Sequence, residues 1–419
     1  MAAVAWRRSV PWLAVGVSAV VLLSALVAVE PIRDAVTLTA VGEARLEQSA
    51  AYLSIAPISD VLDTLTLMTV AQHIAILLSS FGVFALWRVA RARRRPTWRW
   101  REVIAAVVFL SAVILTYVGG AVMPRPMARL TTSDETVIAI DFHAHTMYSH
   151  DGRPGWTEED VRNWHAGAGY DVAYITDHAT FEGAERGIAS NPGEAGERTM
   201  ILQGLEVAYR GEHVNILNAG RRYRGLTTPD LKDVDVRSLQ LAGFLKATSP
   251  VLIETVPANL GQVPSPTANA PGVDAIEIVD GAPRGLAQGR AARQRIVHIA
   301  DSLNLALVTG SDNHGWGRTA PGWTLLRIPG WRGMGTDSLS VRIENVLRIG
   351  RRASTRTVER RVAGATNPFS LVFAAPLAAW RMFTTLSADE RVMWLIWTWA
   401  LVLFAGGLRA YRVRPSTTT

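Results

Sequence analysis

The chain has 419 residues, no cysteine, a formal net charge of +7, 49% hydrophobic residues and 19% charged residues. This composition excludes intrinsic disorder, which needs low hydrophobicity together with high net charge. The lack of cysteine also excludes a disulfide scaffold, a zinc ribbon and a cysteine nucleophile.

Uncharged apolar stretches predict about four transmembrane helices. Three of them fall in a membrane region at residues 1–124, and the fourth lies nearer the C-terminus: about 9–29, 64–87, 103–124 and 392–408. About 20 apolar residues are needed to cross a bilayer, so the fourth stretch is at the lower limit of length. The first stretch has the position of a signal peptide, but its length and the spans that follow favour a retained anchor.

Arginines that flank these stretches predict the orientation. Seven arginines lie between the second and third stretches and others flank the first and fourth, whereas only Arg33 and Arg45 lie between the first and second. The positive-inside rule then places both termini and the arginine-rich loop in the cytoplasm. We therefore expect an integral membrane protein whose soluble, catalytic domain is extracytoplasmic.

The segment after the soluble domain leaves alternatives open. Residues 331–391 are expected to be a linker, although the sequence does not decide whether 331–364 is a stalk or part of the domain. Residues 364–380 are uncharged and contain Pro368 and Pro376, so they lie in the membrane interface, re-enter or span. Residues 409–419 are predicted to be a cytoplasmic tail. In the second apolar stretch, His73 is either a functional intramembrane group or a partner in an interhelical hydrogen bond.

Residues 131–330 alternate between β-rich runs and helical patterns. Thr157 is followed by Glu158, Glu159 and Asp160, which is typical of a capped helix start, and a longer amphipathic helix is predicted over Leu286–Leu303. The predicted strands are Val137–Ile140, Val172–Ile175, Met200–Gln203, Val214–Leu217, Val251–Ile253, Ala275–Ile278, Ala306–Thr309 and Trp323–Ile328. This alternation favours an α/β fold, either a barrel or a doubly wound sheet.

Histidines and acidic residues follow several of these strands. His143 and His145 come after the first strand, and Asp312 and His314 come after the seventh. The other strand-end residues of these types are Asp177, His178, Glu206, His213, Glu254 and Glu277. Because the carboxyl ends of the strands of a β/α barrel meet at one rim, this distribution favours the barrel over the doubly wound sheet.

The spacing of these residues predicts a metal site. Side chains two residues apart on an extended chain point the same way, so His143 and His145 can bind one ion from one strand end. Asp312 and His314 repeat that spacing. Imidazole with carboxylate suits zinc, iron or manganese. Since the chain has no thiolate ligand, an open catalytic site is more natural than a closed structural zinc site.

Five motifs in this region resemble those of the PHP (polymerase and histidinol phosphatase) family of metal-dependent phosphoesterases. In chain order they are DFHAHTMYSHDG, ITDH, GLEV, GEHVNIL and GSDNHG. The resemblance covers residues 131–330. It implies a distorted, seven-stranded TIM-like β/α barrel that binds up to three metal ions at the C-terminal rim of its strands.

The resemblance implies two to three divalent metal ions, Zn, Mn or Fe. The first ion would be held by His143, His145, Glu206 and Asp312. Another ion would be held by Asp151, His178 and His314. Glu206 would bridge to a further ion with His213, where the family usually adds one more histidine. Val256 stands at that position, which weakens this site, and Glu254 is a candidate to substitute for the histidine. Two well-occupied ions and a weak or absent third are therefore expected.

The implied activity is hydrolysis of a phosphomonoester or phosphodiester by a metal-activated water in a membrane-anchored enzyme. The residues expected to act in catalysis are His143, His145, Glu206, Asp312 and Arg318. Arg284 and Arg153 are further candidates for holding the phosphate. The expected substrate is a phosphorylated small molecule, a lipid or a surface polymer. The alternative is a metal-binding, catalytically weak sensor domain coupled to the membrane helices, which the loss of the histidine at Val256 favours.

The distribution of charge argues against a nucleic-acid partner. Residues 131–350 contain 20 Lys and Arg against 26 Asp and Glu, a net charge of −6, so the rest of the chain carries +13. The basic excess therefore belongs to the flanks of the apolar stretches. An acidic domain attracts metal cations rather than a polyanion, so no nucleic-acid partner is expected.

Overall fold

The computed structural model describes residues 11–94, 99–209, 212–217, 249–257, 263, 272–361 and 368–412. The strands are β1 (Ile32–Asp34), β2 (Ala44–Glu47), β3 (Arg129–Thr132), β4 (Val137–Ala144), β5 (Val172–Ile175), β6 (Met200–Tyr209), β7 (Glu212–Leu217), β8 (Val251–Glu254), β9 (Ala275–Asp280), β10 (Ala306–Gly310), β11 (Gly322–Arg327) and β12 (Thr355–Arg360). The helices are α1 (Trp12–Ala25), α2 (Ala50–Ser54), α3 (Ala56–Thr66), α4 (Val70–Arg94), α5 (Arg99–Val122), α6 (Glu158–Ala168), α7 (Glu182–Ala189), α8 (Pro283–Leu286), α9 (Arg290–Leu303), α10 (Thr336–Asn345), α11 (Pro368–Val372), α12 (Ala374–Thr385) and α13 (Ala388–Arg412).

Ten of the strands form one curled sheet. Their order is β1-β12-β11-β4-β5-β6-β7-β8-β9-β10, and the eight strands predicted from the sequence are all present, as β4 to β11. The sheet curls until the end of β10 meets the end of β4. There the backbone N–H of Asp312 donates to the carbonyl of His143 at 2.9 Å, and that of His145 donates to the carbonyl of Asn313 at 3.0 Å. The fold is therefore α/β with a curled sheet.

The expected seven-stranded barrel is only part of this sheet. Strands β4 to β10 follow one another in chain order around the curl, and β11, β12 and β1 extend the sheet antiparallel beyond β4. Strands β6, β7 and β8 also pair antiparallel. Only two residues separate β6 from β7, and a connection that short permits only antiparallel pairing.

The first strand of the curl is buried on both faces. Ile138, Ile140 and Phe142 pack in one apolar cluster, while Val137 and Ala139 pack in another. A strand covered on both faces has a nearly continuous apolar sequence. Its polar residues therefore come at its end, where the sheet opens.

Residues 331–360 are part of the domain and do not form a stalk. Strand β12 pairs with β11, and Trp331, Leu339 and Ile343 are buried in the core of the sheet. Residues 362–367 lie outside the described part of the chain. Beyond them α11 and α12 are two short helices rather than one continuous helix through residue 380.

Two helices, rather than four, are long and apolar enough to cross a membrane. Within the part of the chain that the structure describes, these are Val70–Arg91 in α4 and Trp100–Val122 in α5, and almost none of their residues are buried inside the protein. Helix α1 has 14 residues in the described chain, about 21 Å of helix against roughly 30 Å of hydrocarbon. Helix α13 has 25 residues but begins with Asp389 and Glu390 and includes several Trp. The spans expected at 9–29 and 392–408 are therefore not found among the described residues.

The apolar helices are joined to the sheet through Asp63 in α3. Its Oδ1 lies 2.5 Å from a guanidinium nitrogen of Arg125 and accepts a hydrogen bond from the hydroxyl of Thr319 at 2.8 Å. Its Oδ2 accepts from the guanidinium of Arg360 at 3.0 Å. Because Thr319 lies between β10 and β11 and Arg360 ends β12, Asp63 ties α3 to the rim of the curled sheet.

Candidate metal centre

Four side chains converge at the end of β4. Nε2 of His143 lies 3.1 Å from Nε2 of His145, 3.0 Å from Oε2 of Glu206 and 3.3 Å from Oδ1 of Asp312. Nε2 of His145 lies 3.1 Å from the same oxygen of Glu206 and 3.2 Å from the same oxygen of Asp312. Ligand atoms about 2.0–2.1 Å from one tetrahedral ion are roughly 3.3 Å apart. The four side chains therefore have the spacing of ligands to a single ion.

The turn after His145 is held by Asp177. The backbone N–H and the hydroxyl of Thr146 donate to the two oxygens of Asp177, each at 2.6 Å. Asp177 thus orients the chain that follows the two histidines, while the next residue, His178, points to the cluster.

Backbone conformation positions the ligand that follows β10. Asp312 has φ +46°, in the left-handed region that Asp tolerates better than most residues. Two residues earlier, a Cβ on Gly310 would lie 2.5 Å from Oε1 of Glu277 and 2.7 Å from Cβ of His143. Only glycine fits at that position, because any larger residue would push β10 away from the cluster.

A buried carboxylate contacts the other ring nitrogen of His143. Oε1 of Glu277 lies 3.0 Å from Nδ1 of His143, and both residues are buried. A carboxylate on Nδ1 keeps the lone pair of Nε2 directed at the ion. Together with Asp280, these two residues form a fully buried group of potential metal ligands. Sequence reasoning gave Asp280 no role, although its place at the very end of β9 was the signal used for the other ligands.

Two groups of potential ligands around Asp151 adjoin the first cluster. They are His145–Asp151–His314 and His150–Asp151–His178. Oδ2 of Asp151 lies 3.1 Å from Nε2 of His314 and 3.7 Å from Nε2 of His178. Asp151 thus lies near both His314 and His178, the residues predicted to share a second ion with it, but the two histidines fall in separate groups, which His145 and His150 complete.

Glu206 takes part in two groups. Its Oε2 contacts the first cluster and lies 3.3 Å from Nε2 of His178, and its Oε1 lies 2.7 Å from Nδ1 of His213. His178, Glu206 and His213 form a further group of potential ligands. The structure therefore brings together all eight residues predicted as metal ligands. Their assignment to individual ions stays a prediction.

The group with His213 gains no ligand from β8. Glu254 is paired with Val214, so its side chain lies on the opposite face of the sheet from that of His213. Among the described residues neither oxygen of Glu254 has a hydrogen bond, and burial raises its pKa to about 9. The residue that adjoins His213 is Thr255, whose backbone N–H donates to the carbonyl of His213 at 3.1 Å. Val256, the position of the expected histidine, does not make this bond. Glu254 therefore does not replace the missing histidine.

The arginines expected to hold a phosphate differ in their surroundings. Arg284 donates to the hydroxyl of Thr255 at 2.6 Å, which places it beside the His213 group. The backbone N–H of Arg153 donates to the carbonyl of His314 at 3.0 Å. Arg318 is half-buried, and burial followed by repulsion from neighbouring arginines lowers its pKa. No hydrogen bond or ion pair joins Arg318 to the clustered ligands in the described part of the chain, so its role stays a prediction.

Burial and charge act in opposite directions on the clustered groups. Burial alone would lower the pKa of His143, but Glu206, Glu277 and Asp312 outweigh it and raise that pKa well above its usual value. Burial would raise the pKa of Glu206, but the neighbouring histidines hold it well below its usual range. For His178 burial dominates and lowers the pKa to about 4. The carboxylates thus hold positive charge at this point, either as protons on histidine or as a cation in their place.

The donor set fits a divalent metal ion. Imidazole nitrogens and carboxylate oxygens are the ligands of zinc, iron and manganese sites. Two imidazole nitrogens and two carboxylate oxygens facing one another at 3.0–3.3 Å share a single centre. Because each group shares a residue with its neighbour, the arrangement is consistent with two or three adjacent ions.

No family model matches the chain, and no curated protein matches it. Solved structures match parts of it. PsfC from Pseudomonas syringae is 17% identical over 58% of this chain and 96% of its own length, with a TM-score of 0.34. A two-domain protein from Bacteroides vulgatus, named as containing a PHP-like metal-dependent phosphoesterase, is 15% identical over 49% of this chain and 63% of its own, with a TM-score of 0.28.

A lesion-specific endonuclease from Pyrococcus furiosus is 12% identical over 52% of this chain and 57% of its own, with a TM-score of 0.37. This chain spans less than two thirds of that protein and of the Bacteroides one. Identities of 12–17% with TM-scores below 0.5 do not assign a function to this chain.

Proposed function

We propose that the chain is a metal-dependent hydrolase of phosphoric esters whose catalytic domain is attached to a membrane. The observation that carries this proposal is the set of five donor-to-donor distances of 3.0–3.3 Å among His143, His145, Glu206 and Asp312. The adjoining groups share His143, His145 and Glu206 with that set. Adjacent sites of this kind suit a phosphate, whose oxygens carry several charges at once.

Each protein group has a defined task in the proposed reaction. Divalent ions held by these residues would supply a hydroxide nucleophile near neutral pH and would neutralise charge on the phosphate. Glu206 offers one oxygen to each of two adjacent groups of potential ligands. Glu277 holds the ring of His143, and Asp177 holds the turn after His145.

The guanidinium groups near the site are suited to the phosphate. Arg284, beside the His213 group, can take two phosphate oxygens by a bidentate contact. Arg153 lies next to His314, because its backbone N–H donates to the carbonyl of His314. Arg318 is proposed for the same task from its place in the sequence, four residues after His314.

Membrane attachment is supported by α4 and α5. Both helices are long and apolar, and their apolar side chains are exposed: Val83, Leu86, Val108 and Leu115 are each more than half exposed. A helix with such a surface needs a non-aqueous environment. We propose that these helices lie in the bilayer, with the arginine-rich connection in the cytoplasm and the domain outside it.

A catalytically weak metal-binding sensor domain is the second candidate. It is favoured by the His213 group, where β8 contributes neither a histidine nor a carboxylate beside Thr255. If a further ion binds only weakly at the His213 group, the ions in the other groups would serve a structural or sensing role rather than a catalytic one.

One experiment separates the two candidates. The full chain, purified in the presence of Mn²⁺ or Zn²⁺, is assayed on 4-nitrophenyl phosphate and bis(4-nitrophenyl) phosphate, and its metal content is measured. We expect turnover, and we expect the double variant His143→Ala, His145→Ala to lose more than the roughly 10–100-fold typical of changes outside the ligand set. The matched control is His298→Ala, an exposed histidine on α9. Bound metal without turnover of any phosphoester would support the sensor instead.

A further inference from the structure

A cavity of about 730 Å³ connects the metal centre with the apolar helices. At one end it is lined by Asp151, Asp312 and His314 of the clusters. At the other end it is lined by Ile74 of α4 and Ala121 of α5. Its volume is within the roughly 300–1,000 Å³ range of small-molecule sites.

The wall between these two ends is mainly apolar. The lining includes Leu62, Leu65 and Met68 from the segment before α4, and Leu286 and Trp316 from the domain. Such a wall would bind a nonpolar group favourably. It would contribute no favourable binding free energy for a sugar, a nucleobase or a charged polymer, whose polar groups would lose their hydration. The cavity therefore has one charged end, which suits a phosphate, and one long apolar part.

Polar groups at the helix end of the cavity are paired with each other. Nδ1 of His73 in α4 lies 2.9 Å from the hydroxyl of Tyr117 in α5. This is the interhelical hydrogen bond considered for His73 from the sequence. The pair is satisfied, so it does not demand a polar ligand at this end.

The apolar part continues onto the exposed faces of α4 and α5. Val70 is 55% exposed and Ile74 is 54% exposed, and both line the cavity. These two positions begin the helix that we propose to lie in the bilayer. The apolar lining of the cavity and the exposed surface of α4 thus share these two side chains.

The loop that carries two of the ligands is fastened to the end of α5. The backbone N–H of Gly317 donates to the carbonyl of Ala121 at 2.9 Å. Gly317 lies three residues beyond His314, so the metal centre is held at a fixed distance from the helix end.

We infer that the substrate is a membrane lipid in which a phosphate is esterified to an alcohol bearing a long apolar chain. This inference rests on the proposed function and specifies its substrate class. The phosphate lies at the clusters and the apolar chain fills the cavity toward α4 and α5. A water oxygen bonds to phosphorus as the bond from phosphorus to the alcohol oxygen breaks. One water proton passes to that oxygen, which yields the lipid alcohol and phosphate.

Binding of a substrate mimic tests the cavity without any turnover. The probes are n-alkyl phosphonates from two to ten carbons, which contain no ester bond, titrated calorimetrically into the full chain in amphipol, with and without Mn²⁺. Empty amphipol supplies the baseline. Burying one methylene contributes about 0.8 kcal/mol, so we expect affinity to rise about threefold to fourfold per methylene. Equal affinity for ethyl and decyl phosphonate would overturn the inference.

Two variants place the chain in this cavity. Ala121→Phe fills the cavity at α5, and Leu286→Asp puts a charge in its wall at α8; we expect both to flatten the dependence on chain length. Ala112→Phe, exposed on α5, and Leu303→Asp, exposed on α9, are the matched controls and should keep it. If affinity still rises with alkyl-chain length in both cavity variants, and these variants unfold at the wild-type temperature, the alkyl chain binds elsewhere. That result would contradict the inference.

Turnover then separates this inference from the proposed function. The wild-type kcat/KM is compared for ethyl phosphate and decyl phosphate below the micellar concentration. We expect the longer ester to be favoured by at least tenfold. Hydrolysis of both esters at equal rates leaves the phosphoesterase in place and overturns the lipid substrate. If no ester is hydrolysed, the proposed function is overturned. The phosphonate titration then still decides whether the cavity binds an alkyl chain.

Discussion

Glu206 and Glu277 lie on opposite sides of the His143 ring and act differently on it. Oε2 of Glu206 faces Nε2 at 3.0 Å, together with the other ligands, whereas Oε1 of Glu277 faces Nδ1 at the same distance, away from them. The first carboxylate is placed to bind an ion directly. The second is placed to fix the tautomer and orientation of the ring.

We expect Glu277→Gln to weaken metal binding without removing a ligand. The amide can still accept a hydrogen bond from Nδ1, but it no longer raises the basicity of the ring, so affinity should fall by about 10–100-fold. Competition with a chelator measures this loss. The control is Glu182→Gln, an exposed residue that pairs with Arg186 on α7. An unchanged affinity in Glu277→Gln would show that His143 does not depend on this carboxylate.

Part of the site could be predicted from the residues because its signals are local. His143 and His145 are two residues apart at the end of β4, and extended chain puts such a pair on one side. Asp312 and His314 have the same spacing, but Asp312 has φ +46° and the two residues enter different ligand groups. The contact of Glu277 with His143 joins residues 134 positions apart and depends on the order of strands in the sheet. The face of Glu254 depends on its pairing with Val214, which sequence spacing does not reveal.

At the level of elements, α3 joins the apolar helices to the curled sheet. Asp63 in this helix is buried and contacts both Arg125 and Arg360, and the side chain of Arg125 is completely buried. Removing one partner of a buried ion pair is costly because the other charge remains without compensation.

We therefore expect Asp63→Asn to destabilise the protein by about 3–5 kcal/mol. The amide would leave Arg125 in the interior without an anion. Unfolding of the full chain by denaturant measures the change. Asp301→Asn is the control, because Asp301 pairs with Arg352 at the surface and such pairs contribute about 0–1 kcal/mol. Equal losses in the two variants would mean that Asp63 does not hold α3 to the sheet.

Asp60, one turn before Asp63, contributes a dependence on pH. Its two oxygens accept hydrogen bonds from the hydroxyl of Tyr52 at 2.9 Å and from the indole of Trp394 at 2.8 Å. Burial, followed by repulsion from Glu390, raises the pKa of Asp60 to about 8. The folded state therefore favours the protonated form, whose stabilisation is complete below the unfolded pKa of about 4.

This stabilisation is expected to be lost as pH rises from about 4 to about 8, and to change little above that. Asp60→Asn carries no proton in this range and should lack the slope. The measurement is the difference in unfolding free energy between the two proteins at each pH. Parallel pH profiles for wild type and Asp60→Asn would contradict a raised pKa at this position.

Elements were predictable where their signals are short in range. The start of α6 is a capping box between Thr157 and Asp160, as the acidic first turn indicated. Strand β12 was not predicted because its sequence is largely polar and charged. It is held by distant partners, with Glu359 lying 2.6 Å from Arg33 and 2.5 Å from Arg293. The length of α1 likewise could not be inferred from its uncharged stretch, which continues past the end of the helix.

For the whole molecule, the acidic and basic parts of the sequence correspond to the curled sheet and to the apolar helices, respectively. The acidic excess lies in residues 131–350, which form most of the curled sheet and hold the ligand clusters. The basic excess lies around the apolar helices. Orientation across the membrane follows from this division and is proposed on that basis.

The lack of native cysteine allows a direct test of orientation. Asp301→Cys places one thiol on the surface of the domain, and Arg91→Cys places one at the exposed end of α4, near the arginine-rich connection. In intact cells we expect a membrane-impermeant maleimide to label only the first. Permeabilised cells should show labelling of both, which confirms that each thiol is reactive. Labelling of Arg91→Cys alone in intact cells would reverse the proposed orientation.

The four residues of the first cluster come from positions 143, 145, 206 and 312, so the unfolded chain contains no assembled site. The site exists only after β4, β6 and the segment following β10 have come together as the sheet curls. Metal binding at this cluster therefore depends on folding of the domain. If the domain lies outside the cytoplasm, as proposed, the compartment where the chain folds, rather than the one where it is synthesised, determines which ions compete for its ligands.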